Sequence, residues 1–144
     1  MNYNASSPDE LALTNAARHF GIVFEERDDD NNVVIHNKRT DTREKYELLN
    51  LIEFTSARKR MTVIIKNEDG KILCMTKGAD SHVLPRMAAG QKDKIDCTNT
   101  YLEEYANEGL RTLILAQKEV DPAFYAQWSQ QYTVASCSLK DREE

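Results

Sequence analysis

The chain has 144 residues, with 19 Lys and Arg against 24 Asp and Glu for a net charge of −5, and 40% of its residues are apolar. That length fits one domain with a real core, and the apolar fraction excludes wholesale disorder. No apolar run reaches the roughly 18–20 residues of a membrane span, the opening MNYNASSPDE has neither the basic start nor the apolar stretch of a signal peptide, and the acid excess argues against nucleic-acid binding by counterion replacement.

In chain order, Ser7-Pro8-Asp9-Glu10 reads as a capping box with Pro at the first helical position. Leu13, Ala16, Ala17 and Phe20 follow at helical spacing, and Gly21 supplies the stop. Ile22-Val23-Phe24 and Val33-Val34-Ile35 read as short strands joined by a solvated acidic tip, Asp28 to Asn32. Tyr46, Leu48, Asn50, Ile52 and Phe54 share one face of a longer strand, with Leu49 and Leu51 on the other, so both faces are expected to be covered.

Met61 to Lys66 and Lys71 to Lys77 flank Asn67-Glu68-Asp69-Gly70, a hairpin signal. A short helix is predicted over Asp80 to Met87, then a polar connection from Ala88 to Cys97. Thr100-x-x-Glu103 opens a further helix that stops at Gly109. Thr112 to Ala116 reads as a strand. Asp121-Pro122 caps a last helix with Phe124, Trp128, Tyr132 and Ala135 on one stripe. Some six strands, mostly hairpin-joined, with helices at both ends and between the later strands, predict an α+β fold in a single domain over 1–144.

No self-contained catalytic constellation is present. The five glycines are too scattered for GxGxxG or a Walker A loop. His19, His36 and His82 form no HExxH pattern, and no GxSxG elbow occurs. Cys74, Cys97 and Cys137 form no CxxC pair and read as reduced thiols in a reducing compartment.

Four segments nevertheless break local structural rules. In Glu53 to Met61 an aromatic strand end runs into Arg58-Lys59-Arg60. This is either a core Phe followed by a solvated turn, or a π-face platform beside positive charge, suited to a nucleotide base. Lys77-Gly78-Ala79-Asp80 places a Lys at a strand end before a Gly that permits close backbone approach; the plain reading is a strand-to-helix turn with Asp80 as N-cap. Arg111 in Gly109-Leu110-Arg111-Thr112 is either a solvated boundary residue or a phosphate clamp. Ser7 to Glu10 alone is simply a good helix cap.

Taken together and in order, SSPDELAL at 6–13, LLNLIEFTSARKRMTVII at 48–65, KGAD at 77–80 and YANEGLRTLILA at 105–116 resemble the nucleotide-binding domain of P-type ATPases, above all its type IV, lipid-flippase branch. The terminal YTVASCSLKDREE resembles that family's return toward the phosphorylation domain. The resemblance implies an antiparallel sheet of about six strands flanked by helices. It also implies ATP as ligand. Phe54 would stack on adenine, Lys77 would line the pocket floor, and Glu10 would accept from the exocyclic amine. Ser56 and Gly78 would shape the wall, and Arg111 and Thr112 would face ribose and phosphates.

The family's acceptor Asp in DKTGT, its magnesium-holding segments and its membrane helices do not occur in this sequence. The resemblance therefore implies a domain of a larger membrane ATPase, at the cytosolic face. It would present the γ-phosphate of ATP to the phosphorylation and actuator domains of the same polypeptide, with Mg2+ held mainly by those domains. On its own it would be monomeric, bind ATP weakly and not turn it over. Arg58-Lys59-Arg60 is expected to act as electrostatic background, with strand alternation turning only some of it inward. Two alternatives stand beside this: an interaction domain of the same fold with a non-functional pocket, and the nucleotide domain of a cation pump.

Overall fold

The computed structural model describes Tyr3, Ala5 and residues 7–137. Ser6 of the first motif and SLKDREE of the terminal segment lie outside the described residues. The element order is α1 (Pro8–His19), β1 (Ile22–Arg27), β2 (Asn32–Asn37), β3 (Thr42–Ile52), β4 (Arg60–Asn67), β5 (Ile72–Gly78), α2 (Asp80–Val83), α3 (Lys92–Asn107), β6 (Ile114–Val120) and α4 (Pro122–Ser136). The strands hydrogen-bond in the order β1-β2-β3-β4-β5-β6, an antiparallel meander with helices, so the fold is α+β as expected. Among the described residues no helix is long and apolar enough to cross a membrane.

The chain divides into two compact units: the residues up to Leu49 with Ile65–Gly70, and Asn50–Ile64 with Lys71 onward. In the first, the Ser7 hydroxyl accepts from the Glu10 N–H at 3.2 Å and starts α1 as the capping box predicts. Gly21, at φ +93°, ends the helix and turns the chain into β1. The predicted stripe is not buried, since Ala16, Ala17 and Phe20 are exposed. The hairpin β1–β2 has its tip at Asp28 to Asn31, and Asn32 already belongs to β2.

That tip is organised by one carboxylate. Asp28 accepts from the backbone N–H groups of Asp30 and Asn32 at 3.1 and 2.8 Å and from the Asn32 amide at 2.9 Å. Its other oxygen pairs with Lys45 of β3 at 2.8 Å. Asn32 is thereby satisfied although buried. Lys45 first and Asn32 second hold the Asp28 carboxyl well below the usual carboxylate range. On β3, the Tyr46 hydroxyl donates to Glu44 at 2.6 Å, and burial with that bond pushes the phenol up to about 12. Contrary to the expectation of two covered faces, β3 carries no fully buried residue and Leu51 is exposed.

In the second unit the core is small and lies on one face: Ile64, Ile72, Val83 and Ile114. Each such side chain contributes on the order of 1.5–3 kcal/mol by leaving water. Thr62 and Thr76 join across that face at 2.9 Å, satisfying both hydroxyls. Val83 brings α2 onto β5 and β6. The helix predicted to Met87 ends at Val83, because Pro85 converts Leu84–Arg86 to a 3-10 turn.

Two further expectations are corrected. The helix assigned to Thr100 begins at Lys92, and the Thr100 hydroxyl donates back to the Asp96 carbonyl inside it. The last strand begins at Ile114 and extends to Val120. Asp121 caps α4 as read, accepting from the Phe124 N–H at 2.9 Å. Its inward stripe is displaced by one residue at its start: Phe124 is exposed, whereas Tyr125, half-buried, donates to Asn50 at 2.7 Å. Trp128 stacks on Tyr132 at 5.0 Å.

The depressed Asp28 carboxyl gives a pH dependence with a definite sign. A lowered folded-state value favours the native state above the unfolded value of about 3.9, and that advantage is lost as pH falls below it. Asp28→Asn is expected to lower the urea midpoint at neutral pH and to flatten its decline toward pH 3. Chemical denaturation of both proteins at the two pH values checks this.

Candidate functional site

In an antiparallel meander, the end of β3, the start of β4, the end of β5 and the start of β6 fall at one end of the sheet. Six of the seven residues singled out from sequence are carried by segments at that end of the second unit. Phe54 and Ser56 sit on the β3–β4 connection, Lys77 and Gly78 close β5, and Arg111 and Thr112 lead into β6. The β5–β6 register pairs Gly78 with Ile114 and Lys77 with Leu115. Glu10 belongs to the first unit, on the first turn of α1, where its carbonyl accepts from the Thr14 hydroxyl at 2.9 Å.

Phe54 is not the last inward residue of a strand, as the alternation suggested. The strand stops at Ile52, and the ring is 57% exposed in the segment beyond. The connection itself is firmly closed. Lys59 N–H donates to the Thr55 carbonyl at 2.8 Å, and Arg58 N–H to the Thr55 hydroxyl at 3.1 Å. Arg58 then turns its guanidinium inward, with Nη1 donating to the Glu53 carbonyl at 2.8 Å and lying 3.4–3.5 Å from those of Arg60 and Ile52.

The three consecutive cations therefore do three different things. Arg58 braces the loop that displays Phe54. Lys59 adopts φ +53°, remains exposed, and offers its carbonyl to the Ala79 N–H at 3.0 Å. Arg60 shares the face of Thr62 and Thr76, because β4 alternates. Lys77 lies on the opposite face, next to Thr76 on β5. The run is split, but not by strand alternation as expected: Arg58 and Lys59 lie in the turn before β4 and only Arg60 is in the strand, and the first member is structural rather than background. Sequence reading missed that role; nothing in the RKR pattern separates a brace from a solvated cation.

Gly78 is needed for a close approach. A Cβ there would lie 2.6 Å from the Lys59 carbonyl oxygen and 2.8 Å from the Arg60 Cα, both backbone. Ala79, not Asp80, is the residue before the first turn of α2, and Asp80 instead accepts from the Ser81 N–H at 2.7 Å.

Arg111 and Thr112 follow Gly109, whose φ of +73° ends α3. They line a cleft of about 350 Å³ against α3, where Tyr101 and Tyr105 stack at 6.2 Å. Leu115, opposite Lys77, is 70% exposed and adds an apolar surface that the motifs did not flag. The end of the sheet thus offers an exposed ring, an ammonium, a guanidinium and a close-approach glycine, a donor set that suits a base bearing phosphates.

Because the groups that Gly78→Ala would strike are backbone, they cannot rotate away. The substitution is expected to destabilise by about 1–3 kcal/mol, as overpacking does. Urea unfolding checks the loss, and the Ala79 amide should lose hydrogen-exchange protection with it.

The comparisons with known proteins identify the family. Residues 4–143 match the family model described as P-type ATPase, cytoplasmic domain N. The chain is 42% identical over its full length to human phospholipid-transporting ATPase ID, of which it covers 12%. It is 42% identical over 99% of its length to probable phospholipid-transporting ATPase 5 of Arabidopsis thaliana, again covering 12% of that protein. A phospholipid-transporting ATPase of Schizosaccharomyces pombe is 37% identical over 99% of the chain, which spans 10% of it. The chain thus spans about an eighth of the length of the relatives it matches, and it belongs to the P-type ATPase cytoplasmic domain N family.

Proposed function

We propose that this chain is the ATP-holding module of a phospholipid-translocating P-type ATPase. It binds the nucleotide on the sheet end formed by 53–59, 77–79 and 110–114, and presents the γ-phosphate to an aspartate outside this chain. The observation that supports the reading is that the segments carrying Phe54, Lys77-Gly78 and Arg111-Thr112 lie at one end of the sheet. Phe54 receives the adenine face, and Ser56 and Gly78 shape the wall of the pocket, Gly78 by admitting the Lys59–Arg60 backbone. Lys77 and Arg111 offset phosphate charge, with Thr112 as a neutral donor. Glu10 enters through the resemblance alone, as acceptor for the exocyclic amine.

The energetics favour loose binding. Base stacking contributes about 1–3 kcal/mol and a charge-assisted hydrogen bond about 1.5–3, against an association cost of at least about 4. Affinities of roughly tens of micromolar to millimolar follow. Such weakness suits a module that hands its ligand to another domain and then releases the product. In-line transfer needs a nucleophile and metal that this reading assigns to the rest of the polypeptide, so the chain alone binds without turnover. The names of its relatives support lipid as the transported cargo of the whole protein.

An NMR titration with ATP, with and without Mg2+, tests the reading. Saturable shifts are expected at Phe54, Ser56, Lys77, Gly78, Arg111 and Thr112, persisting without metal. Phe54→Ala should weaken binding about 5- to 100-fold, the loss of one stacking contact. Lys77→Ala should weaken it comparably, with both variants keeping the parent's dispersed spectrum, and Glu10→Gln should reduce preference for ATP over GTP. Unaltered binding in both Phe54→Ala and Lys77→Ala would sink the pocket.

A further inference from the structure

The other face of β5 carries a second cleft, of about 380 Å³, that the nucleotide reading does not use. That volume is within the range of small-ligand sites. Its charged lining is Arg60, Arg86 and Lys118, and Thr76 and Gln91 add neutral hydrogen-bonding side chains. Val83 and Met87 supply apolar surface. The register fixes the face, since Thr76 pairs with Ala116 and Cys74 with Lys118, whereas Lys77 and Leu115 point the other way.

The charge balance of this cleft is unusual for an acidic chain. Acids outnumber bases 24 to 19, yet among the described residues none of Arg60, Arg86 and Lys118 forms an ion pair with a carboxylate. Arg60 donates to the Arg58 carbonyl at 3.0 Å and Arg86 to the His82 carbonyl at 2.7 Å. Each bond occupies only part of a five-donor guanidinium. Arg60 is held below the usual guanidinium range, by burial first and then by Arg86 and Arg58. Like charges gathered around a partly apolar hollow cost free energy unless an anion offsets them.

We propose that this cleft is a binding site for a phosphate monoester, separate from the nucleotide site. The phosphate sits between the guanidinium groups of Arg60 and Arg86 and the Lys118 ammonium, in the forked geometry that arginine offers to phosphate oxygens. Gln91 donates to a remaining oxygen, and Val83 and Met87 receive the organic body.

The test titrates the isotope-labelled chain with inorganic phosphate and with glycerol 3-phosphate, each against sodium chloride at matched ionic strength. Saturable shifts at the amides of Thr76, Arg86, Gln117 and Lys118 are expected in a roughly millimolar range, stronger with the ester and without matching shifts at Phe54. Arg86→Gln combined with Lys118→Gln, both on exposed side chains, should weaken them at least about tenfold, the loss of charged donors, while leaving the spectrum dispersed. Flotation with phosphatidylcholine vesicles, with and without phosphatidic acid, separates the two sources of such a group. Capture by phosphatidic acid that the double variant abolishes assigns a lipid headgroup, and saturable shifts without capture assign a soluble ester. Linear shifts, shifts that chloride reproduces, or shifts the double variant leaves intact overturn the proposal. Because the reporting amides differ from those of the ATP titration, either site can fail without the other.

Discussion

The contact between Gly78 and the Lys59–Arg60 backbone is the constraint on which the rest of the second unit depends. With no Cβ at 78, the end of β5 settles against the β3–β4 connection closely enough for Ala79 N–H to reach the Lys59 carbonyl at 3.0 Å. The same residue pairs with Ile114, so this point also sets where the 110–113 segment enters β6. Three stretches far apart in sequence are fixed at one end of the sheet by a single residue that lacks a side chain. A larger residue would have to displace backbone on one side or the other.

The display of Phe54 follows from how the neighbouring connection is closed. A chain leaving a strand loses its ladder, and its carbonyls need new donors. Arg58 supplies one guanidinium to the carbonyls of this turn, and Thr55 closes it from both its hydroxyl and its carbonyl. The ring is therefore placed by backbone hydrogen bonding and not by packing, which leaves it 57% exposed. Burying it would have contributed on the order of 1.5–3 kcal/mol to the fold. On the reading proposed above, that forgone stabilisation would leave an aromatic surface for the base to stack on.

What the sequence disclosed depended on whether the signal was local. The Ser7 and Asp121 caps, the stops at Gly21 and Gly109 and the Asn67–Gly70 hairpin each act within a few residues, and each appears where read. The start of α3 was missed because Gln91 makes no side-chain cap, while Thr100 mimics one and in fact bonds back inside the helix. The strand at Thr112 was read two residues early, since 110–113 has strand-like composition and the ladder begins only where Gly78 provides a partner at Ile114. The motif residues were legible as types. The Arg58 brace and the exposed Leu115 were not, because both roles come from neighbours that the local pattern does not specify.

The electrostatics of the two units, each taken by itself, follow different rules. In the first, basic side chains on β3 and β4 find carboxylates: Arg43 pairs with Glu25 at 2.8 Å, Lys45 with Asp28 at 2.8 Å and Lys66 with Glu47 at 3.3 Å. Arg43 and Lys45 are accordingly held above their usual ranges by those partners. These are partly exposed pairs whose yield in stability is modest, but they leave little local field. In the second unit Arg60, Arg86 and Lys118 line one hollow and, among the described residues, none of them pairs with a carboxylate, and Arg60 is shifted the opposite way. An acidic chain could have neutralised those cations as easily as it did Arg43. Alternation along β5 then keeps the two faces chemically distinct, with Lys77 on one and the Thr76 hydroxyl on the other, so the two ligands proposed above would draw on different cations.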